Sequence, residues 1–150
     1  MLWYQEPRRV EEALAADVRR TLTGLFAEAP GCLQARVAEP VLPGWITDAE
    51  LEVYVGTFER TGFGGGLSYY RNLDRNWLGA REHDHRITQP AMFVTGENDL
   101  VRRFQTSDAL AESYTDLRAN AVIPGAAHWV QQQRPEEINS LLLSFLLELD

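Results

Sequence analysis

The sequence has one cysteine, Cys32, so no disulfide can form within the chain. A single thiol in a chain of this length suits a reducing compartment, and a cytoplasmic location is the expectation. No apolar run approaches the roughly 18 residues that a membrane span requires, so no membrane association is expected. The N-terminus, MLWYQEPRRVEEALA, has no apolar stretch of signal-peptide length and carries charge by Glu6. Positive charge is also scarce: 14 Lys and Arg stand against 22 Asp and Glu, for a net charge of -8. Such a surface repels phosphate, which argues against a nucleic acid partner. There is no internal repeat and no low-complexity tract. The remainder is an ordinary globular composition, 45% hydrophobic and 10% aromatic, over 150 residues. That length suits one average domain.

Two unlike parts follow one another. Residues 9–27 carry Val10, Leu14, Val18, Leu22 and Leu25 at helical spacing, with Arg and Glu between them, and predict one amphipathic helix ended by Pro30 and Gly31. Residues 32–46, with Pro40, Pro43 and Gly44, read as a loop. Thr47 and Glu50 have capping-box spacing and open a second helix, whose apolar face is Leu51, Tyr54, Val55 and Phe58. The run Gly62-Phe63-Gly64-Gly65-Gly66 breaks it, and a third helix is expected from Leu67 to about Trp77. Residues 78–89 read as polar loop. After Gln89 the pattern changes. Ala91–Thr95 is a short apolar run between Pro90 and Gly96 and reads as a buried strand. A helix over 105–114 follows, then a strand at Ala121–Ile123 closed by Pro124-Gly125. A last helix starts at Pro135, with Glu136 and Glu137 in its first turn. Ile138, Leu142, Phe145, Leu146 and Leu149 are expected to be its buried stripe. A strand–helix–strand crossover makes two parallel neighbours, right-handed in nearly all cases. Because parallel sheets are normally covered on both faces, two strands alone make an odd domain and hint at missing sequence.

Chemistry collects at the ends of the two strands. Asp99 follows the first, in Thr95-Gly96-Glu97-Asn98-Asp99, and His128 follows the second, in Gly125-Ala126-Ala127-His128-Trp129. One crossover between them places both at the C-terminal edge of the sheet, where open α/β sheets bind ligands. There an acid that orients an imidazole lets it act as a base. Taken singly, Asp99 is better explained as a cap of the next helix, and His128 as a loop histidine; it is the pair, at strand ends with this spacing, that favours catalysis. No nucleophile completes the pair. Gly-x-Ser-x-Gly is absent; Gly66-Leu67-Ser68 lacks the second glycine and follows no strand. Cys32 sits in a Pro/Gly loop with nothing to activate it. Glu82-His83-Asp84-His85 alternates ligand types that suit a metal, but a solvated polar loop explains it better. The glycine run lacks the Gly-Lys-Ser/Thr of a phosphate loop.

The segment GFGGGLSYYRNLDRNW (62–77) resembles the cap signature of epoxide hydrolases of the α/β-hydrolase superfamily. Gln5-Glu6-Pro7 and Trp45-Ile46-Thr47 before it, Val94–Asp99 after it, and His128-Trp129 agree in order and spacing. The resemblance implies an α/β, partial α/β-hydrolase fold. Residues 1–80 would form a helical cap segment, and residues 81–150 the last strand–helix–strand–helix of the core sheet. It also implies a two-step hydrolysis of a small-molecule epoxide to a vicinal diol, without metal or organic cofactor. In the family an aspartate attacks an epoxide carbon, and two cap tyrosines hold the epoxide oxygen and supply a proton. A histidine aided by an acid then activates the water that cleaves the ester. An alkoxide is a poor leaving group, so the proton donor lowers the barrier. Tyrosine, with a reference pKa near 10, stays protonated at neutral pH. Carried over by position, Tyr70 matches a cap tyrosine, Asp99 the acid and His128 the base. Tyr69 and Trp129 become substrate-binding candidates, and packing is the alternative for each of them and for Tyr70.

The departures are specific. The nucleophile aspartate and the His-Gly-x-Pro segment have no counterpart. The second tyrosine would fall just upstream of Met1, and Trp3 and Tyr4 are out of register with it. Ala127 replaces the glycine usual before the histidine and is expected to shift His128 slightly. The reading is therefore a fragment, inactive alone for want of a nucleophile. A non-catalytic interaction module is the alternative, or one half of a split enzyme, self-associating or joining an N-terminal partner chain along the exposed sheet edge. Haloalkane dehalogenases and capped ester hydrolases share the fold, but a halide leaves without a proton, so Tyr70 favours epoxides.

Overall fold

The computed structural model describes residues 6–28, 39–82, 85–104 and 107–149. Trp3, Tyr4, Gln5, Pro30, Gly31, Cys32, His83 and Asp84 lie outside them. The chain divides into two units, Met1–Glu82 and His83–Asp150. No helix among the described residues is long and apolar enough to cross a membrane.

In the first unit the segment expected to be one helix is two, α1 (Arg9–Ala15) and α2 (Val18–Phe26). Asp17 causes the break. It takes an extended backbone, and its carboxylate accepts from the Arg20 N–H at 2.9 Å, capping α2. Helix α3 (Asp48–Thr61) begins with the expected capping box: Glu50 N–H donates to Thr47 Oγ1 at 3.3 Å, and Thr47 N–H donates to Glu50 Oε2 at 2.8 Å. Thr47 also holds the Glu50 carboxyl below its usual pKa. Helix α3 ends at Gly62, whose φ of 68° suits glycine. The other glycines do not make a turn. Helix α4 (Gly64–Arg71) starts inside the run, and α5 (Leu73–Ala80) follows a break at Asn72. Val10, Leu14, Val18, Leu22, Phe26, Leu51, Val55, Phe63 and Leu67 are buried. The ring of Phe26 meets Trp45 and Tyr54 edge-on, at 5.7 and 5.0 Å. Arg19 on α2 pairs with both Asp48 and Glu52 at the start of α3.

The second unit holds a two-stranded parallel sheet of β1 (Ala91–Gly96) and β2 (Leu117–Ile123). A 3-10 helix (Leu100–Phe104) and α6 (Ser107–Ser113) join them; the 3-10 turn was not foreseen. Strand β2 starts four residues earlier than expected, because Leu117-Arg118-Ala119-Asn120 alternates between half-buried and exposed positions and so hides in polar sequence. Ile87, expected in a loop, bridges Tyr114 and extends the parallel pairing. The short α7 (Val130–Gln133) leads into α8 (Pro135–Leu147). The stripe of α8 is not buried as expected: no residue of the helix is buried, and Leu142, Leu146 and Leu147 are 42%, 48% and 76% exposed. Two strands offer too little surface to cover a 13-residue apolar helix.

Candidate active site

Asp99 is presented by the turn that leaves β1. Its N–H donates to the Gly96 carbonyl at 3.2 Å, and its Oδ1 accepts from the Val101 N–H at 2.8 Å. The second bond caps the 3-10 helix, so the bland role considered for Asp99 is real. It coexists with the other one. His128 Nδ1 lies 3.2 Å from both carboxylate oxygens of Asp99. The cap fixes the rotamer of the carboxylate and so aims it at the ring. A carboxylate facing Nδ1 favours the tautomer with hydrogen there, which puts the lone pair that can take a proton on Nε2. The two side chains differ in exposure: 12% for Asp99 and 49% for His128. The acid is thus sheltered while the imidazole meets solvent. The Trp129 ring stands edge-on to the imidazole with centroids 5.4 Å apart.

Gly96 makes this meeting possible. A Cβ there would lie 2.3 Å from the Ala127 carbonyl oxygen and 2.6 Å from that of Ala126. Only a glycine lets the turn before His128 approach the end of β1 so closely. The turn is then held by backbone bonds, Glu97 N–H to the Ile123 carbonyl at 3.0 Å and Asn98 N–H to the Ala126 carbonyl at 2.8 Å. Ala127 brings no backbone strain. Among the described residues the non-glycine positions of positive φ are Arg8 and Glu28, while Gly125, at 67°, takes the left-handed place. The expected shift of His128 therefore has no backbone origin in this turn.

Tyr69 and Tyr70 belong to the first unit and sit on α4, 81% and 44% exposed. Helix α4 is anchored on both sides of them. Leu67 is buried, and Arg71 makes a two-pronged pair with Glu11 of α1, at 2.5 and 3.0 Å. The hydrogen bonds from Arg71 hold the Glu11 carboxyl at about 2, well under its ordinary value, against a smaller opposing effect of burial. The pair raises Arg71 in return. Among the described residues no group of three His, Cys, Asp or Glu is placed to hold a metal ion. His83 and Asp84 of the candidate metal stretch, and Cys32, lie outside those residues. Sequence reasoning missed Gly96 as the contact point of the two turns, and the Glu11–Arg71 pair 60 residues apart. A glycine directly between a strand and an acid was a signal for the first; nothing local announces the second.

No model of a known protein family matches the chain. Among curated proteins, epoxide hydrolase A of Mycobacterium tuberculosis is 38% identical over 168 residues, covering 100% of this chain and 52% of that protein. Bifunctional epoxide hydrolase 2 of Sus scrofa is 31% identical, over 97% of this chain and 28% of that protein. Among solved structures, an epoxide hydrolase from an endophytic Streptomyces matches with a TM-score of 0.87 at 36% identity, over 98% of this chain and 51% of its own. Epoxide hydrolase A from Mycobacterium thermoresistibile gives 0.81 at 36% identity, over 97% and 50%. The chain spans about half the length, or less, of the curated relatives it matches.

Proposed function

We propose, from the premise that this chain belongs to the epoxide hydrolase family of the α/β-hydrolase superfamily, that it supplies the base, the acid and a proton donor for hydrolysis of an epoxide to a vicinal diol. The observation that carries this reading is the His128 Nδ1, 3.2 Å from both oxygens of Asp99, at the C-terminal ends of two adjacent parallel strands. A carboxylate from outside these 150 residues attacks an epoxide carbon; the C–O bond breaks, and Tyr70 gives its proton to the alkoxide. His128 Nε2 then takes a proton from water, and the resulting hydroxide attacks the ester carbonyl. The diol leaves, the carboxylate is regenerated, and the proton on the His128 imidazolium returns through solvent to the Tyr70 phenolate. Asp99 stabilises the imidazolium formed on the way. Tyr69 and Trp129 line the substrate, and neither a metal nor an organic cofactor takes part. A lone cysteine goes with a cytoplasmic location.

The nucleophile is carried either on sequence continuous with this chain or on a separate N-terminal chain that pairs with an open edge of the sheet. The exposed leucines of α8 support such a completion, because apolar area of this kind is normally covered. The test mixes the chain with the preceding half of Mycobacterium tuberculosis epoxide hydrolase A and supplies racemic styrene oxide. Diol forms only in the mixture. His128→Gln stops turnover while an adduct of substrate mass accumulates on the nucleophile-bearing partner. Enzyme-level diol from the pure chain, or full turnover with His128→Gln, contradicts the proposal.

A further inference from the structure

Asp99 and His128 are held by different means. Asp99 is sheltered and tied by its own cap to Val101. His128 is half-exposed, with the Trp129 ring beside it, and so is less sheltered than Asp99. The turn that carries it contains Gly125 at a φ of 67°, and glycine has the most conformational freedom to lose. Hydrogen bonds to its backbone groups give that turn a defined place. Three consecutive residues supply them. The Gly125 N–H donates to Glu97 Oε2 at 2.9 Å, the Ala126 carbonyl accepts from the Asn98 N–H at 2.8 Å, and the Ala127 N–H donates to Gln133 Oε1 at 2.5 Å. The middle bond joins backbone to backbone and is indifferent to side chains. The outer two depend on a carboxylate from the turn after β1 and a carboxamide from the end of α7.

We propose that Glu97 and Gln133 are positioning residues that clamp the 124–127 turn from its two flanks and so hold the His128 ring against Asp99. This rests on the acid–base reading of that pair. Neither residue need touch substrate. Each satisfies a backbone donor that would otherwise pull the turn toward solvent. The two act at the amide groups on either side of the Asn98–Ala126 backbone bond.

The test measures amide hydrogen exchange and the ¹⁵N signals of the His128 ring in the 150-residue chain. Variants are Glu97→Ala, Glu97→Gln, Gln133→Ala and Gln133→Glu. Exchange should quicken at least about fivefold, the size of one ordinary hydrogen bond, at Gly125 in Glu97→Ala and at Ala127 in Gln133→Ala. In both, the ring should drift from the Nδ1–H form toward the mixture of free imidazole. Glu97→Gln and Gln133→Glu keep an oxygen acceptor and should restore exchange and ring alike, which general loosening of the unit would not explain. A ring that keeps its Nδ1–H form in both alanine variants overturns the proposal alone. A wild-type ring already in the free-imidazole mixture overturns the acid–base reading, and the proposal with it. Should an alanine variant unfold, the wild-type chain still decides: open-peptide exchange at Gly125 and Ala127 overturns the clamp, and protection at both supports it.

Discussion

Leu51 and Leu142 are both leucines on the apolar stripe of a helix, yet one is fully buried and the other is 42% exposed. The contrast runs through the two units. In the helical unit, α1, α2, α3 and α4 bury Val10, Leu14, Leu22, Leu51, Phe63 and Leu67 against one another. Among the described residues of the strand-bearing unit the buried apolar side chains are Leu110, Ile123 and Ala126, and α8 buries none. Amphipathic helices can pair their stripes without help. A parallel sheet cannot, since both its faces and both its edges need cover. The half-open unit is nevertheless the one that holds Asp99 against His128. Its order at that point comes from hydrogen bonds and one close backbone contact more than from a large core.

The sharpest way to break this comparison is to truncate one leucine in each unit. Leu51→Ala should cost about 2–5 kcal/mol, as for a fully buried leucine, and Leu146→Ala well under about 1 kcal/mol. Chemical denaturation of each variant checks this, and equal losses would erase the contrast. Next comes Gly96→Ala, which forces a methyl against two carbonyl oxygens. It should cost about 1–3 kcal/mol and separate His128 from Asp99, while NMR signals of the helical unit stay put. Thr47→Ala removes half of the capping box and should cost about 1 kcal/mol, felt only in the helical unit.

The smallest effect concerns acid. The hydrogen bonds from Arg71 hold the Glu11 carboxyl at about 2, below its ordinary 4.5. A lowered carboxyl contributes stability that is complete above 4.5 and fades as pH falls from there through about 2. The pair is partly solvated, so the contribution is modest. Glu11→Gln should flatten the pH dependence of stability in that window. An unchanged slope would mean that the ion pair does not anchor α4.

The ends of the two strands, and with them the adjacency of Asp99 and His128, were legible in the sequence because each strand finishes in a short apolar run stopped by glycine or proline, with the polar residue a few positions further on. The capping box at Thr47 was legible for the same reason: its signal is local. Asp17 was not, because a polar residue on the solvent face of a helical pattern looks the same whether it continues the helix or caps a new one. The early residues of β2 were lost to alternation, where Arg118 and Asn120 face water. The glycines of 64–66 misled in the other direction, since tertiary context outweighed their low helix propensity. The exposure of α8 was invisible because periodicity shows which face is apolar, not whether anything covers it. Glu97 and Gln133 carried no signal at all; their importance depends on a turn brought to them from elsewhere in the chain.

The central claim is that a carboxylate fixes the hydrogen of the His128 imidazole. Two-dimensional ¹⁵N–¹H spectroscopy of the labelled ring, in the wild-type chain and in Asp99→Asn, measures it directly. The account predicts hydrogen held on Nδ1 in the wild type and a redistribution toward Nε2 in the variant. Identical ring signals in the two proteins would contradict it.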